Sequence, residues 1–192
     1  MRREIETLLD RWREIAPVDF RAVLPSKNSP FGLTLEGLAD FRGAALETSL
    51  HKLVLKELDL SYTKMRRGQF VSQVENCLFD GCVYDCTVSR SFLECSFVGA
   101  NLNGSNLQGM FCKCDFSGAK LTQTLSSETV FERCVFRNTN LKGGNLYRSR
   151  FLACVFDNCK LGGGSLAMSA FTDCTISGCD FSTTVMERVK GL

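Results

Sequence analysis

Residues 131–186 read FERCVFRNTNLKGGNLYRSRFLACVFDNCKLGGGSLAMSAFTDCTISGCDFSTTVM, with a large apolar residue at every fifth position. The series is Phe131, Phe136, Leu141, Leu146, Phe151, Phe156, Leu161, Leu166, Phe171, Ile176, Phe181 and Met186. Two residues before each of these stands a cysteine, serine, threonine or glycine. A period of five fits neither the 3.6-residue helix nor the two-residue strand. An exact short period indicates a repeated structural unit.

The five-residue unit predicts one short side of a square coil, so that four units close a turn of about twenty residues. The large residue points to the axis. The residue two before it also points inward and must be small, because two large side chains cannot share a close-packed interior. At a spacing of about twenty residues, Phe111, Phe131, Phe151 and Phe171 form one column. The predicted interior is therefore a solid stack of side chains.

The series continues upstream with interruptions, starting from ADFRG at residues 39–43. The steps from Phe70 to Phe79 and from Leu107 to Phe116 span nine residues, one short of two units, which predicts tightened corners. Ser126 stands where a large apolar residue is expected. Because the frame is kept across it, this unit is predicted to be a weak rung or a local bulge.

The strings ADFRG, ANLNG, SNLQG, CDFSG, TNLKG, GNLYR and CDFST resemble the pentapeptide-repeat family, with its A(D/N)LXX consensus. The resemblance covers residues 39–188. It implies an all-β fold, a right-handed quadrilateral β-helix (a pentapeptide-repeat solenoid), here of about seven coils. We therefore expect an N-terminal capping α-helix and connector at residues 1–38, the β-helix at 39–188 and a C-terminal tail at 189–192.

The two ends of such a stack need cover, because an open sheet edge is adhesive. Ile5, Leu8, Leu9, Trp12 and Ile15 lie on one stripe at helical spacing, which predicts a capping helix over residues 2–16, ended by a proline. A helix that docks a partner is the alternative. Residues 17–37 are predicted to be an irregular connector. The last ten residues, TTVMERVKGL, are too short for a substantial capping helix, so we expect a homodimer joined through the C-terminal coils.

Composition limits the classes of function. The net charge of +2 lacks the basic surplus typical of nucleic-acid binders. No apolar run is long enough to span a membrane, and the charged N-terminus is unlike a signal peptide. Ten of the eleven cysteines stand at the small core position, so we interpret them as core residues rather than disulfides or metal ligands. Adjacent free thiols favour a reducing compartment, and we expect a cytoplasmic protein.

The sequence offers no catalytic set that can be defended. His51 is the single histidine and lacks the partners of a nucleophilic triad. The glycines at residues 143–144 and 162–164 lack the spacing of a phosphate-binding loop. A solid interior also leaves no pocket for a substrate. The prediction is a protein without enzymatic activity, metal or cofactor.

Function is then expected on the outer faces, where basic and apolar side chains point outward by register. The candidate partner-binding residues are Lys120, Lys142, Lys160, Arg148, Arg150, Tyr147, Leu152 and Met168. A docking surface for an acidic protein is one interpretation of them, and outward apolar residues are typical contact points. A plain solvated face is the other.

Three functions are weighed. The first is a non-catalytic scaffold for a protein partner, as an adaptor, an immunity or self-protection protein, or an effector. The resemblance implies the second, a DNA mimic that binds a topoisomerase such as gyrase, like the quinolone-resistance members of the family. The slightly positive charge departs from those acidic members, as do the lack of a clear projecting loop and of a long C-terminal dimerisation helix. The third is weak nucleic-acid binding through Lys120, Lys142 and Lys160, which lack interleaved aromatic residues.

Overall fold

The computed structural model describes residues 2–47 and 49–192. Two helices and a 3₁₀ turn precede a stack of short strands. The helical elements are α1 (Arg2–Asp10), the 3₁₀ turn (Arg11–Glu14) and α2 (Phe20–Ser26). The strands are β1 (Ala39–Asp40), β2 (Leu50–Lys56), β3 (Leu58–Asp59), β4 (Lys64–Glu75), β5 (Val83–Leu93), β6 (Asn106–Cys112), β7 (Val130–Glu132), β8 (Val135–Arg137), β9 (Arg150–Leu152), β10 (Val155–Asp157), β11 (Ala170–Thr172) and β12 (Thr175–Ser177).

Each strand pairs in parallel with the strand one coil away, in the orders β11-β9-β7-β6-β5-β4-β2, β12-β10-β8 and β1-β3. Isolated bridges such as Lys120–Asn140 and Asn140–Lys160 carry the ladder on between the named strands. The result is a parallel β-solenoid of about seven turns, as the five-residue period predicts.

Four walls enclose the axis, and each is named here by the core residue that it carries in one central coil: the Phe131, Phe136, Leu141 and Leu146 walls. Core residues of successive coils lie directly opposite one another on each wall. Phe131 pairs with Phe111 and Phe151, and Phe136 pairs with Phe156. The predicted columns are therefore confirmed.

Phenylalanine rings fill the interior. The Phe131 ring lies between those of Phe111 and Phe151, with centroid distances of 5.4 and 5.3 Å and interplanar angles of 16° and 6°. It also meets the Phe136 ring of the next wall edge-on, at 5.4 Å and 77°. Stacking along a wall and edge-to-face contact between walls are both favourable arrangements of aromatic rings. Together they leave a packed core rather than a lumen.

The small position next to the core carries hydrogen-bond donors. The Cys134 thiol donates to the carbonyl of Phe111 at 3.2 Å, and the Thr139 hydroxyl donates to the carbonyl of Phe116 at 2.9 Å. The cysteines are all free, and eight of them are buried. Burial raises the pKa of Cys77, which keeps that thiol protonated. Cysteine, serine and threonine therefore suit this position by size and by chemistry.

The predicted tightened corners are present between the Leu146 and Phe131 walls. Val74, Phe92 and Phe111 are the core residues there, each four residues after the preceding one. Where the step between core residues is four rather than five, the strand continues through the corner, so β4 and β5 have 12 and 11 residues. From residue 130 onward, where no corner is shortened, the strands have three residues, as in β7.

The unit with Ser126 is a weak rung in full register. Ser126 is buried, and its neighbour Leu125 bridges Asn106 and Asn145 in the ladder. No bulge interrupts the wall at this point. Leu125 itself points outward and is 53% exposed.

The N-terminal cap differs from the prediction. Helix α1 ends at Asp10, not at residue 16, and none of its residues is fully buried. The predicted irregular connector contains α2, which supplies the buried side chains of Phe20 and Leu24. The Asp19 side chain accepts a hydrogen bond from the Arg21 amide and caps α2. Helix α2 is therefore the lid over the first coil, with α1 packed beside it.

Arg11 and Trp12 fasten the cap to the first coil. Arg11 donates to both carboxylate oxygens of Asp40, at 2.9 and 2.6 Å, and the Trp12 indole donates to the carbonyl of Arg42 at 2.7 Å. Burial opposes the ionisation of Asp40, but the hydrogen bonds from Arg11 and Arg42 outweigh it and hold the pKa of that carboxyl well below its usual range.

The ladder extends past residue 188, since Lys190 bridges Ala170. The predicted tail at 189–192 therefore includes a paired residue. In the last coil, the core-facing side chains of Ile176 and Phe181 are only half-buried, and Met186 is 37% exposed.

Candidate functional site

The eight candidate residues lie on three different walls. Lys120, Lys142 and Lys160 lie on the Leu141 wall, where Lys120 and Lys160 share one column with Asn140 between them. The other five lie around the corner between the Leu146 and Phe131 walls: Tyr147, Arg148, Met168, Arg150 and Leu152.

Contacts within the corner group restrain its side chains. The Tyr147 hydroxyl donates to the sulfur of Met168 at 3.4 Å, and the Arg148 guanidinium lies 4.9 Å from the centroid of the Tyr147 ring. Arg148 also approaches Glu128 at 3.5 Å. Tyr147, Leu152 and Met168 are half-buried rather than freely exposed. This corner offers a semi-rigid mixed surface.

The Leu141 wall carries more positive charge than the sequence analysis assigned to it. Its two outward columns contain Lys64, Val83, Asn101, Lys120, Asn140, Lys160 and Asp180, and Glu47, Arg66, Asp85, Asn103, Thr122, Lys142 and Gly162. Arg67 stands at the adjoining corner. Lys64 and Arg66 escaped prediction because the coils between residues 60 and 116 have 18 or 19 residues rather than twenty.

The Leu141 wall and the Phe131 wall differ in whether their cations form ion pairs. On the Phe131 wall, cations meet carboxylates one coil away, as in Lys56–Glu75 at 2.5 Å and Lys113–Glu94 at 2.6 Å. Among residues 2–47 and 49–192, no ion pair engages any cation of the Leu141 wall within 4.0 Å. Those cations are Lys64, Arg66, Arg67, Lys120, Lys142 and Lys160.

Three shallow depressions lie along the Leu141 wall. One of about 460 Å³ is lined in part by Lys64 and Arg66, and a second of about 290 Å³ by Arg66, Arg67 and Asp85. A third of about 410 Å³ lies beside Lys142, over glycines without side chains. One of these is Gly162, where a Cβ would come within 2.7 Å of the Ser182 carbonyl oxygen.

Acidic residues are concentrated on the neighbouring Phe136 wall: Asp40, Asp59, Asp80, Asp115 and Asp157. Several serve the turns of the coil. Asp80 accepts hydrogen bonds from the Ser96 hydroxyl and the Val98 amide, and Asp115 accepts from the Ser117 amide. Burial raises the pKa of Asp80. The small net charge thus conceals a surplus of cations on the Leu141 wall and a surplus of carboxylates on the Phe136 wall.

The described part of the chain contains no cluster of three or more histidine, cysteine, aspartate or glutamate side chains suited to a metal ion. His51 is exposed, and its Nδ1 lies 3.3 Å from the guanidinium of Arg21, so it joins α2 to β2. Of the helices described, none has the length and apolar character needed to cross a membrane.

Exposed apolar side chains that the sequence analysis missed include Leu125, Met110 and Val54, at 53%, 41% and 53% exposure. Each stands one residue before a core position. The sequence signal that predicts such an exposed residue is a large apolar side chain one position before a core residue.

Residues 114–152 match the family model for pentapeptide repeats in eight copies. The same segment forms regular coils with a single five-residue frame. This part of the chain consists of pentapeptide repeats. A comparison with curated proteins finds no match.

Solved structures similar to this chain include the pentapeptide repeat protein Rfr23 from the cyanobacterium Cyanothece 51142, at 16% identity and a TM-score of 0.32, covering 76% of this chain and 86% of Rfr23. QnrB1, a plasmid-mediated fluoroquinolone resistance protein, is 18% identical with a TM-score of 0.27, over 72% of this chain and 79% of its own. HetL from Nostoc sp. strain PCC 7120, involved in heterocyst differentiation regulation, is 16% identical with a TM-score of 0.23, over 81% and 90%. At these scores, the fold assignment rests on the ladder and ring stacks described above.

Proposed function

We propose that this protein is a non-catalytic scaffold in the cytoplasm that binds a protein partner through its outer walls, as an adaptor, a self-protection protein or an effector. The packed interior is the observation that carries the proposal. Rings such as Phe131 and Phe151 stack at 5.3 Å along the axis, which excludes a substrate from the core. Rigid repeat walls are suited to extended protein contacts.

The two groups described above are the proposed contact surfaces. One is the basic set on the Leu141 wall, including Lys120, Lys142 and Lys160. The other is the corner around Tyr147, Arg148 and Met168, with Arg150 and Leu152 beside it. Aromatic and arginine side chains are common energetic centres of protein interfaces.

Affinity capture from the native cell, with quantitative comparison of variants, tests the scaffold proposal. The variants are Tyr147→Ala for the corner and Lys142→Glu for the basic wall, with Lys52→Glu on another wall as the charge-matched control for the second. We expect one partner to be lost from a contact-surface variant and retained by the control. If the wild-type protein captures no partner at near-physiological salt, the proposal is contradicted.

We also propose a homodimer joined through the C-terminal coils. The half-buried Ile176 and Phe181 and the exposed Met186 support it, because apolar core residues gain about 25 cal/mol per Å² when covered. Light scattering at micromolar concentration should give twice the chain mass, and Phe181→Asp should halve it. A monomeric wild-type protein contradicts this proposal.

Topoisomerase binding as a DNA mimic is the second candidate function. The carboxylates of Asp80, Asp115 and Asp157, which lie in two columns of the Phe136 wall, support it, since a mimic of duplex DNA must present negative charge. The cations of the Leu141 wall, next to the Phe136 wall, argue against DNA mimicry. A gyrase supercoiling assay with and without a quinolone tests this function. Protection at stoichiometric ratio supports it, and no effect at tenfold excess contradicts it.

A further inference from the structure

The cations of the Leu141 wall form two clusters. Lys64, Arg66 and Arg67 make the first cluster, and Lys120, Lys142 and Lys160 make the second. Five rungs separate Lys64 from Lys160 in the ladder. At about 4.8 Å per rung, the wall presents positive charge over about 24 Å.

The rungs between the clusters are neutral or negative. They carry Val83 and Asp85 on one coil, and Asn101 and Asn103 on the next. Asp85 lies opposite Arg66 in the ladder without an ion pair between them within 4.0 Å. A ligand that lies between Lys64 and Lys160 therefore meets positive charge at both ends and a carboxylate with amides in the middle. The carboxylates of Glu47 and Asp180 lie one rung beyond the two clusters and limit the length of an acidic ligand.

We infer that the Leu141 wall binds an extended acidic segment of a partner protein, with carboxylates at its two ends and an uncharged centre. The inference rests on the proposed scaffold function and names the chemistry of the partner. An extended chain advances about 3.3 Å per residue, so about seven residues span the two clusters. The depressions beside Arg66 and Lys142 give its side chains places to enter.

Charge and shape favour a peptide over a nucleic acid. The one aromatic residue at a core position of the wall between these clusters is Tyr84, which is 1% exposed and cannot stack on a base. Asp85 repels an unbroken row of phosphates but tolerates a neutral amide side chain. The side chains of Asn101 and Asn103 offer donors and acceptors that match a peptide backbone.

Fluorescence anisotropy on the full chain tests the inference with two labelled peptides, Glu-Glu-Ser-Asn-Ser-Glu-Glu and its variant with glutamate at the centre. A labelled 12-base-pair DNA duplex is the third probe. The protein variants are the triple change Lys120→Gln, Lys142→Gln, Lys160→Gln and the charge-matched control Lys52→Gln, Lys56→Gln, Lys113→Gln. Circular dichroism and unfolding midpoints confirm that each variant is folded.

We expect the wild-type protein to bind the first peptide in 50 mM salt and the wall variant to bind it about tenfold more weakly, as loss of three exposed charge pairs predicts. The control should stay within about twofold. Asp85→Asn should improve binding of the glutamate-centred peptide more than that of the first peptide, because it removes the central repulsion.

Equal weakening in the wall variant and the control overturns the inference, as does no binding of either peptide. Tighter binding to the duplex than to the first peptide overturns it in favour of a phosphate ligand. The scaffold proposal is judged separately by affinity capture. A partner retained equally by wild type, wall variant and control leaves the scaffold standing and removes only the acidic segment.

Discussion

At the position two before each core residue, the side chain must be small, and a donor there can reach a backbone carbonyl of the preceding coil. Cys154 meets both conditions, since it is 1% exposed and its thiol donates to the Phe131 carbonyl at 3.3 Å. Thr139 does the same with a hydroxyl. The size and hydrogen-bonding of the cysteines therefore follow from the coil geometry.

Substitutions at Cys154 test this directly. Cys154→Ser keeps the donor and should change the unfolding free energy by under about 1 kcal/mol, whereas Cys154→Leu overpacks the interior and should cost about 1–3 kcal/mol. Phe156→Ala should cost about 3–5 kcal/mol. Lys142→Ala is the exposed control, within about 0.5 kcal/mol. Urea unfolding measures all four, and a neutral Cys154→Leu would show that the position is not confined.

The ion pairs of Asp40 make the fold acid-sensitive. Because the folded-state pKa of Asp40 is depressed, its contribution is fully present above the unfolded pKa of about 3.9 and is lost as pH falls through the folded value. Asp40→Asn should therefore destabilise the protein at pH 7 and matter progressively less below about pH 4. Denaturant midpoints of both proteins from pH 7 to pH 2 measure this, and a gap that stays constant across the range contradicts the assignment.

Among the elements, α2 was hardest to anticipate. It has seven residues, contains Pro25 and shows no repeated apolar stripe. The stronger helical pattern belongs to α1, whose Ile5 and Leu8 remain half-exposed beside Arg42 and Tyr62. Periodicity identifies an amphipathic helix but does not say which helix covers the open coil.

A pair of truncations separates the two helices. Leu24→Ala in α2 removes a side chain with 0% exposure and should cost about 2–5 kcal/mol. Ile5→Ala in α1 removes a partly exposed side chain and should cost under about 1 kcal/mol. Thermal or urea unfolding of the two variants decides between the lids. A larger loss of unfolding free energy from Ile5→Ala than from Leu24→Ala would indicate that α1, not α2, covers the first coil.

The strands show where the period suffices and where it fails. From Phe116 onward, the frame is regular and every column follows from counting. Upstream, Val74 and Phe92 were not predicted as core residues, because the shortened corners place them four residues after the preceding core position. Whether a corner can close with one residue fewer depends on how neighbouring coils pack, so the local sequence does not predict it.

Over the whole molecule, the shortened corners also made the distribution of charge among the walls unpredictable from the sequence. Counting back by twenty from Lys120 reaches Ala100, whereas the ladder pairs Lys120 with Asn101 and leads on to Lys64. The register gave the outward direction of each candidate residue but not its wall. Tyr147 and Lys142 therefore lie on different walls, while the solid core and the repeat architecture followed from the period alone.

A crystal structure at about 2 Å resolution would test the filled solenoid most directly, since recognition by the outer walls depends on it. We predict continuous side-chain density along the axis, with the Phe131 ring between Phe111 and Phe151 at centroid distances of 5.4 and 5.3 Å. An open lumen that holds a ligand, or rings turned out of the axis, would contradict the account.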